Sequence, residues 1–360
     1  MTKISDKYLH HSARDEEMII SVLRDGQLSG TADIIGIYEN ALATYFGAKH
    51  AVVVSSGSTA IQAALWCAGV RPGDEVLVTA PAVLPSLFPV TENGAIPVPV
   101  DVRGDSLDFC PDSLRKSISH KTKAALIVPL WGYPFDQSET RKILAEKGIP
   151  LIEDCAHAHG AKFGKKFTGT FGEMSCFSTH DRKILATGEG GFILTDCPET
   201  AKKLTAFTRL GNLSGKQSGV NFKLGALQAA LGISRLPDIE TQVEVRTANA
   251  EAVKSQLNPG RPFNELSFGE GRPNYYNLVF KLNSDIDDPE DVLRKVNDAG
   301  IVIDQVKYGY NVFYKREVYR HISAECPNSE DMIKRLIQIP VHPGITELDI
   351  NRIVSILNEI

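Results

Sequence analysis

The chain has 360 residues, too many for one small core and suited to a large α/β domain with a smaller companion. Its 42% hydrophobic and 23% charged residues are ordinary for a globular protein, and a net charge of −5 excludes the basic excess of a nucleic-acid footprint. No apolar run approaches the roughly 20 residues that span a bilayer, and the opening "MTKISDKYLHHSARDEE" lacks an apolar signal core, so a cytoplasmic protein is expected. The six cysteines (67, 110, 155, 176, 197 and 326) are scattered with no C-x-x-C pair. That spacing gives no zinc site and fits reduced thiols.

In chain order, residues 50–200 alternate apolar, β-branched runs with helical segments. The predicted strands are "AVVVSS" (51–56), "EVLVTA" (75–80), "IPVPVDV" (96–102), "AALIVPL" (124–130) and "IPLIEDC" (149–155). "STAIQAALWCAG", "PDSLRKSIS" and "QSETRKILAEKG" supply helices between them. This rhythm predicts a mostly parallel sheet covered on both faces, an α/β three-layer sandwich. "MSCFST" (174–179) and "GGFILTD" (190–196) add two more strands, one of them expected to be antiparallel, so the sheet is mixed. Residues 223–257 read as one long helix interrupted at Pro237, the usual consequence of a residue without an N–H. Beyond it lies a smaller α+β unit: a strand in "NYYNLVFKL", a helix in "DPEDVLRKVNDAG", strands in "IVIDQV" and "LIQIPV", and a last helix opened by the Thr346-x-x-Asp349 capping pattern. The expected division is 1–240 for the large domain and 241–360 for the small one. The first ~25 residues are assigned to the surface of the small domain or of a partner.

Three stretches carry candidate chemistry. In "VVVSSGSTAIQAAL" a buried strand runs through Ser55-Ser56-Gly57-Ser58-Thr59 into a helix. Free N–H groups at such a helix start bind anions, although a plain polar N-cap accounts for the same residues. Neither the P-loop lysine nor G-x-G-x-x-G is present. In "IPLIEDCAHAHGA", Glu153 and Asp154 end an apolar strand at the edge where open parallel sheets bind ligands. His157 and His159 invite a metal reading, but no third ligand is evident, so no metal is expected. In "HDRKILATGEGG" (180–191), Lys183 precedes a glycine-rich run. It reads either as a surface lysine before a turn or as a desolvated nucleophile able to form a Schiff base.

Taken together and in this order, "SSGSTA", "GVRPGDEVLV", "AALIVPLWGYPFD", "LIEDCAHAHGA", "FSTHDRKILATGEGG", "GVNFKLGALQAALGISRL" and "LIQIPVHPGIT" resemble the DegT/DnrJ/EryC1/StrS family of pyridoxal-phosphate (PLP) sugar and cyclitol aminotransferases, of the aspartate-aminotransferase fold (fold type I). The resemblance runs from about residue 26 to the C-terminus. It implies PLP as cofactor, Lys183 as the Schiff-base lysine and later proton carrier, and Asp154 as the carboxylate facing the pyridine nitrogen. It also implies Gly57, Ser58, Thr59 and Ser178 around the phosphate and His157 beside the ring. Asn221 is implied to reach the phosphate of a neighbouring subunit, with Lys223 as a nearby basic position, hence a homodimer. The implied reaction takes an amino group from Glu or Gln to a keto-sugar, a cyclitol ketone or a related biosynthetic ketone. Hydroxyl-removing relatives carry histidine where this chain has Lys183.

The chain departs from the family pattern at three places. Val83 stands where an aromatic residue covers the ring, forgoing a stack worth roughly 0.5–1.5 kcal/mol. Asp181 and Arg182 replace a sequence that often has proline two residues before the lysine; the pair reads either as a surface feature or as a change in contacts to the substrate, with the structural reading preferred. After "GIVIDQV" the chain reads "KYGYNVFYKREVYRH" in place of an H-Y-x-P-L-H pattern. Lys307, Tyr308 and Tyr310, with His180, are therefore the candidate substrate contacts, against the alternative of a packed surface loop. Two other functional readings remain open: a PLP enzyme of elimination, dehydration or C–C bond chemistry, and a non-catalytic regulatory member. The presence of both Lys183 and Asp154 argues against the latter.

Overall fold

The computed structural model describes residues 3–8 and 11–360. In chain order its strands are β1 (His50–Val54), β2 (Glu75–Thr79), β3 (Ile96–Val100), β4 (Thr122–Ile127), β5 (Leu151–Asp154), β6 (Lys162–Phe163), β7 (Lys166–Phe167), β8 (Met174–Ser178) and β9 (Gly191–Thr195). The C-terminal part adds β10 (Phe263–Glu265), β11 (Gly271–Arg272), β12 (Leu278–Leu282) and β13 (Leu336–Ile339). The first four helices are α1 (Ala13–Asp25), α2 (Asp33–Phe46), α3 (Gly57–Cys67) and α4 (Leu84–Glu92).

Seven strands form one sheet in the order β1-β9-β8-β5-β4-β2-β3. Only β9 runs against its neighbours, pairing antiparallel with β1 and β8, while β2 pairs parallel with β3 and β4, β4 with β5, and β5 with β8. The predicted mixed sheet is thus present, with "GGFILTD" as its antiparallel strand. The sequence explains why: β1, β2 and β4 are runs of Val, Ala, Leu and Ile buried on both faces, as parallel strands between helical layers must be. All the parallel strands present their C-terminal ends to one edge, and that edge holds the site.

The long helical stretch is two α-helices, Ala226–Arg235 and Ile239–Lys254, joined by a 3₁₀ turn at Leu236–Asp238 that contains Pro237. The final helix, Glu347–Asn358, begins with the predicted capping box between Thr346 and Asp349. One expected strand is absent. Of "IVIDQV", Ile301 and Ile303 are buried, but the chain then turns into the helix Asp304–Tyr308. This helix is tied to β13 and the helix before it by side chains: Gln305 Nε2 donates to the carbonyls of Ile333 and Leu336, and the Asp304 N–H donates to Gln338 Oε1. The Leu336 carbonyl of β13 is thus satisfied by a side chain rather than by a fourth strand.

At the N-terminus, residues 3–8 run against the C-terminal part, with the Ile4 N–H donating to the Gly300 carbonyl at 2.9 Å. Helix α1 lies instead on the helix Ala226–Arg235, tied by Arg235–Asp15 at 3.0 Å and Arg14–Asp238 at 2.6 Å. Cys155, Cys176 and Cys326 are buried, Cys67 and Cys110 half-buried, Cys197 exposed, and all six thiols are free. Among the described residues no helix is long and apolar enough to cross a membrane.

Candidate active site

The C-terminal ends of β1, β2, β4, β5 and β8 converge on one cavity of about 690 Å³, a size that suits a cofactor and a small substrate together. Each strand delivers one wall. After β1, Ser56 caps α3: its hydroxyl accepts from the Thr59 N–H at 3.1 Å, while Thr59 Oγ1 accepts from the Ser56 N–H at 3.0 Å. This capping box fixes the turn and leaves Gly57 and Ser58 lining the cavity at a helix N-terminus, where exposed N–H groups favour an anion. The predicted hydroxyl of Thr59 is spent on the cap and does not line the cavity.

After β5 comes Asp154, 5% exposed. Ser86 Oγ of α4 donates to its Oδ2 at 2.5 Å and the Ala156 N–H to its Oδ1 at 3.1 Å. Burial pushes this carboxyl above its ordinary range, and those two hydrogen bonds and the Lys183 charge act against the rise. The preceding residue, Glu153, is fully buried and faces away from the cavity. It accepts from the N–H groups of Gly169, Phe171 and Gly172, from Gln137 Nε2 and from Ser175 Oγ. The adjacent carboxylates thus have different work: one pins the 169–172 loop, the other faces the cavity.

The two histidines diverge. His157 lines the cavity with its ring stacked on Tyr276, centroids 4.2 Å apart and planes 9° apart. Its Nδ1 accepts from the Trp131 N–H at 3.2 Å, which leaves the ring proton on Nε2. Burial, and then the charge of Lys183, holds it far below the usual histidine range, so it is neutral. His159 is packed edge-on against Phe177 and Phe192, and burial lowers it to about 3.

Between β8 and β9 lies the loop that carries Lys183. It is closed by backbone bonds from Thr179 to Gly190 (2.8 Å), Asp181 to Gly188 (3.0 Å) and Thr187 to Thr179 (2.7 Å), and by the buried Thr179–Thr187 hydroxyl pair at 2.6 Å. The glycines at its end serve close packing rather than flexibility. A Cβ on Gly191 would lie 2.6 Å from the Ser56 and Phe177 carbonyl oxygens, and Gly190 has φ +152° with Thr179 Oγ1 2.4 Å from where its Cβ would be. The start of β9 therefore abuts the Ser56 turn, which brings the lysine loop and the helix N-terminus together. Lys183 is half-buried and its Nζ stands 5.3 Å from the Tyr276 ring centroid. Desolvation lowers its pKa to about 8; Asp154 raises it, Arg182 lowers it and Asp304 raises it.

The remaining predicted residues divide. Val83, Ser178, His180, Tyr308 and Tyr310 line the cavity; Lys307 stands beside it, and Asn221 and Lys223 lie outside it. Asn221 is exposed, in a β-bridge with Arg209. Arg182, read from sequence as structural, lines the cavity and donates to Tyr308 OH at 2.7 Å. Sequence reasoning missed Ser86, Trp131, Tyr276, Asp304 and Asp6. Trp131 sits at φ 53° before Gly132, donating Nε1–H to Asp304 Oδ2 at 3.1 Å. "WG" after a strand and the paired tyrosines of "NYYN" were the available signals.

Comparison with known proteins identifies a family and a fold. The model of the DegT/DnrJ/EryC1/StrS aminotransferase family matches residues 10–358. The chain is 28% identical to GDP-perosamine synthase of Vibrio cholerae over 338 residues, 92% of this chain and 91% of that protein. It is 29% identical to dTDP-3-amino-3,4,6-trideoxy-alpha-D-glucose transaminase of Streptomyces venezuelae over 356 residues, 96% of this chain and 92% of that one. Among solved structures, S. venezuelae DesV in complex with a ketimine intermediate superposes with a TM-score of 0.86 at 25% identity, covering 96% of this chain and 94% of that chain. E. coli GDP-4-keto-6-deoxy-D-mannose-3-dehydratase with bound hydrated PLP gives 0.88 at 25% identity, covering 99% and 100%. The fold is the PLP-transferase fold type I, and the chain belongs to the DegT/DnrJ/EryC1/StrS aminotransferase family of PLP-dependent enzymes.

Proposed function

We propose that the protein transfers an amino group from Glu or Gln to a keto-sugar, a cyclitol ketone or a related biosynthetic ketone, with Lys183 and Asp154 as its catalytic residues. One observation carries the reading: a lysine of lowered pKa, a buried carboxylate and a helix N-terminus open onto a single cavity.

The donor set fits PLP. When bound, PLP supplies an electrophilic aldehyde and an electron-withdrawing ring. Gly57 and Ser58 at the start of α3, with Ser178 opposite, form the phosphate cradle; a Cβ on Gly57 would lie 2.7 Å from that of Ser178, so only glycine leaves the cradle open. Asp154 stabilises positive charge on the ring nitrogen. His157, with its Nδ1 taken by the Trp131 N–H, would offer its Nε2–H to the bound cofactor, and the His157–Tyr276 stack supplies aromatic surface in a site where Val83 provides none. Lys183 Nζ is unprotonated often enough near neutral pH to act as nucleophile and then to carry the proton at the substrate carbon. Asn221, exposed within one chain, completes the phosphate site of a second subunit together with Lys223, so the working unit is a homodimer. His180, Lys307, Tyr308 and Tyr310 meet the acceptor. The division into domains at residue 240 sets these last three on the smaller part, and the enzyme works in the cytoplasm.

Incubating the yellow holoenzyme with L-Glu or L-Gln tests the reaction. Amino transfer converts the cofactor to its amine form, with loss of the visible band and release of the keto acid. Failure with every amino donor overturns the proposal.

A further inference from the structure

Three elements meet at one corner of the cavity. The N-terminal segment is fixed there by Ile4, 3% exposed, by a contact of Ser5 O with His342 Nε2 at 2.9 Å, and by Tyr8 stacked on the His342 ring at 6.0 Å. This places Asp6 in the cavity lining. The loop before Lys183 brings Arg182, and the helix Asp304–Tyr308 brings Lys307 and Tyr308. Asp6 Oδ2 lies 2.7 Å from Lys307 Nζ and 3.8 Å from Arg182 Nη1, and Tyr308 OH accepts from Arg182. Two cations hold one carboxylate. The other carboxylate at this corner, Asp304, is taken up by Trp131 Nε1.

The group is built to exchange. The Asp6, Lys307 and Arg182 side chains are 25%, 30% and 35% exposed, and ion pairs this open to water hold together only weakly. The Arg182–Asp6 contact is long, so the two-pronged geometry that makes guanidinium–oxyanion pairs strong is unused. Arg182 adjoins Lys183 in the chain, so a molecule reacting at Lys183 lies next to this corner.

We propose that Arg182 and Lys307 form an oxyanion subsite whose resident carboxylate, Asp6, is exchanged for a carboxylate or phosphate carried by the substrate. This rests on the reading of the cavity as an amino-transfer site. It adds a named anion requirement and gives the N-terminal segment a role as internal competitor.

The test uses PLP-loaded enzyme, in which the cofactor phosphate site is filled, titrated calorimetrically with 2-oxoglutarate and with inorganic phosphate. Asp6→Asn removes the competitor and tightens at least one probe about 3- to 10-fold. Arg182→Gln weakens the same probe about 10-fold, the loss of one charge-assisted bond. Arg182→Lys, which keeps charge and fold, recovers part of that loss. A donor carboxylate as the occupant predicts that 2-oxoglutarate responds and that Arg182→Gln raises the KM for L-Glu by a similar factor. An acceptor oxyanion predicts that phosphate responds while the KM for L-Glu stays unchanged. Binding of both probes that is indifferent to Asp6→Asn and Arg182→Gln, with the visible band and melting temperature intact, overturns the subsite. Absence of any half-reaction with L-Glu or L-Gln, with probe binding still responsive, overturns instead the amino-transfer reading.

Discussion

Lys183 owes its chemistry to position. The same side chain on the surface would titrate near 10.5, whereas burial here brings it to about 8, and only the free amine attacks an aldehyde. The rate at which apoprotein takes up PLP, followed by the visible band, is expected to rise with pH and to level off above about 8. A rate still climbing steeply at pH 10 would contradict the desolvated site. Between about 8 and 10.5 the unfolded chain holds more protons at this lysine than the folded one. Its contribution to stability therefore rises with pH across that window.

At the scale of elements, the first carboxylate of "LIEDC" is the informative case. Glu153 joins β5 to the 169–172 loop through three backbone N–H groups and accepts as well from the Gln137 and Ser175 side chains. Glu153→Ala strands these donors, at a cost of about 3–5 kcal/mol, and the melting temperature of a 360-residue chain falls by on the order of 5 °C. A fall below about 1 °C would show that water or neighbouring groups replace the carboxylate. Strands β1, β2, β4, β5, β8 and β9 were legible because short apolar runs bounded by turns agree with burial in the central sheet. So were Lys183 and Asp154, because they sit at strand ends within a recognisable series of motifs. Helix α4 escaped because Pro85 and Pro89 lie in it, and with it went Ser86, which holds Asp154. "IVIDQV" misled because its alternation satisfies core burial without strand pairing. Asp304 and Asp6 reach the cavity only through tertiary packing across 100 or more residues from Lys183, which no local pattern encodes.

For the whole molecule, the exposed loop ending in Asn221 sets the expectation of a shared site. With the homodimer proposed above, the Lys183→Ala and Asn221→Ala proteins are each expected to lose most activity. Mixed and reassociated in equal amounts, they recover about a quarter of the wild-type level, because half the dimers are mixed and one of their two sites is intact. No recovery in mixtures shown to contain mixed dimers would place each site within a single chain. Strand ends, helix N-terminus and lysine loop assemble around Lys183, which is therefore expected to bond covalently to the cofactor. Borohydride reduction of the yellow protein, followed by peptide mass spectrometry, is predicted to erase the visible band and leave a pyridoxyl group on Lys183. A pyridoxyl group on any other lysine, or no band to reduce after PLP is added, would contradict the account.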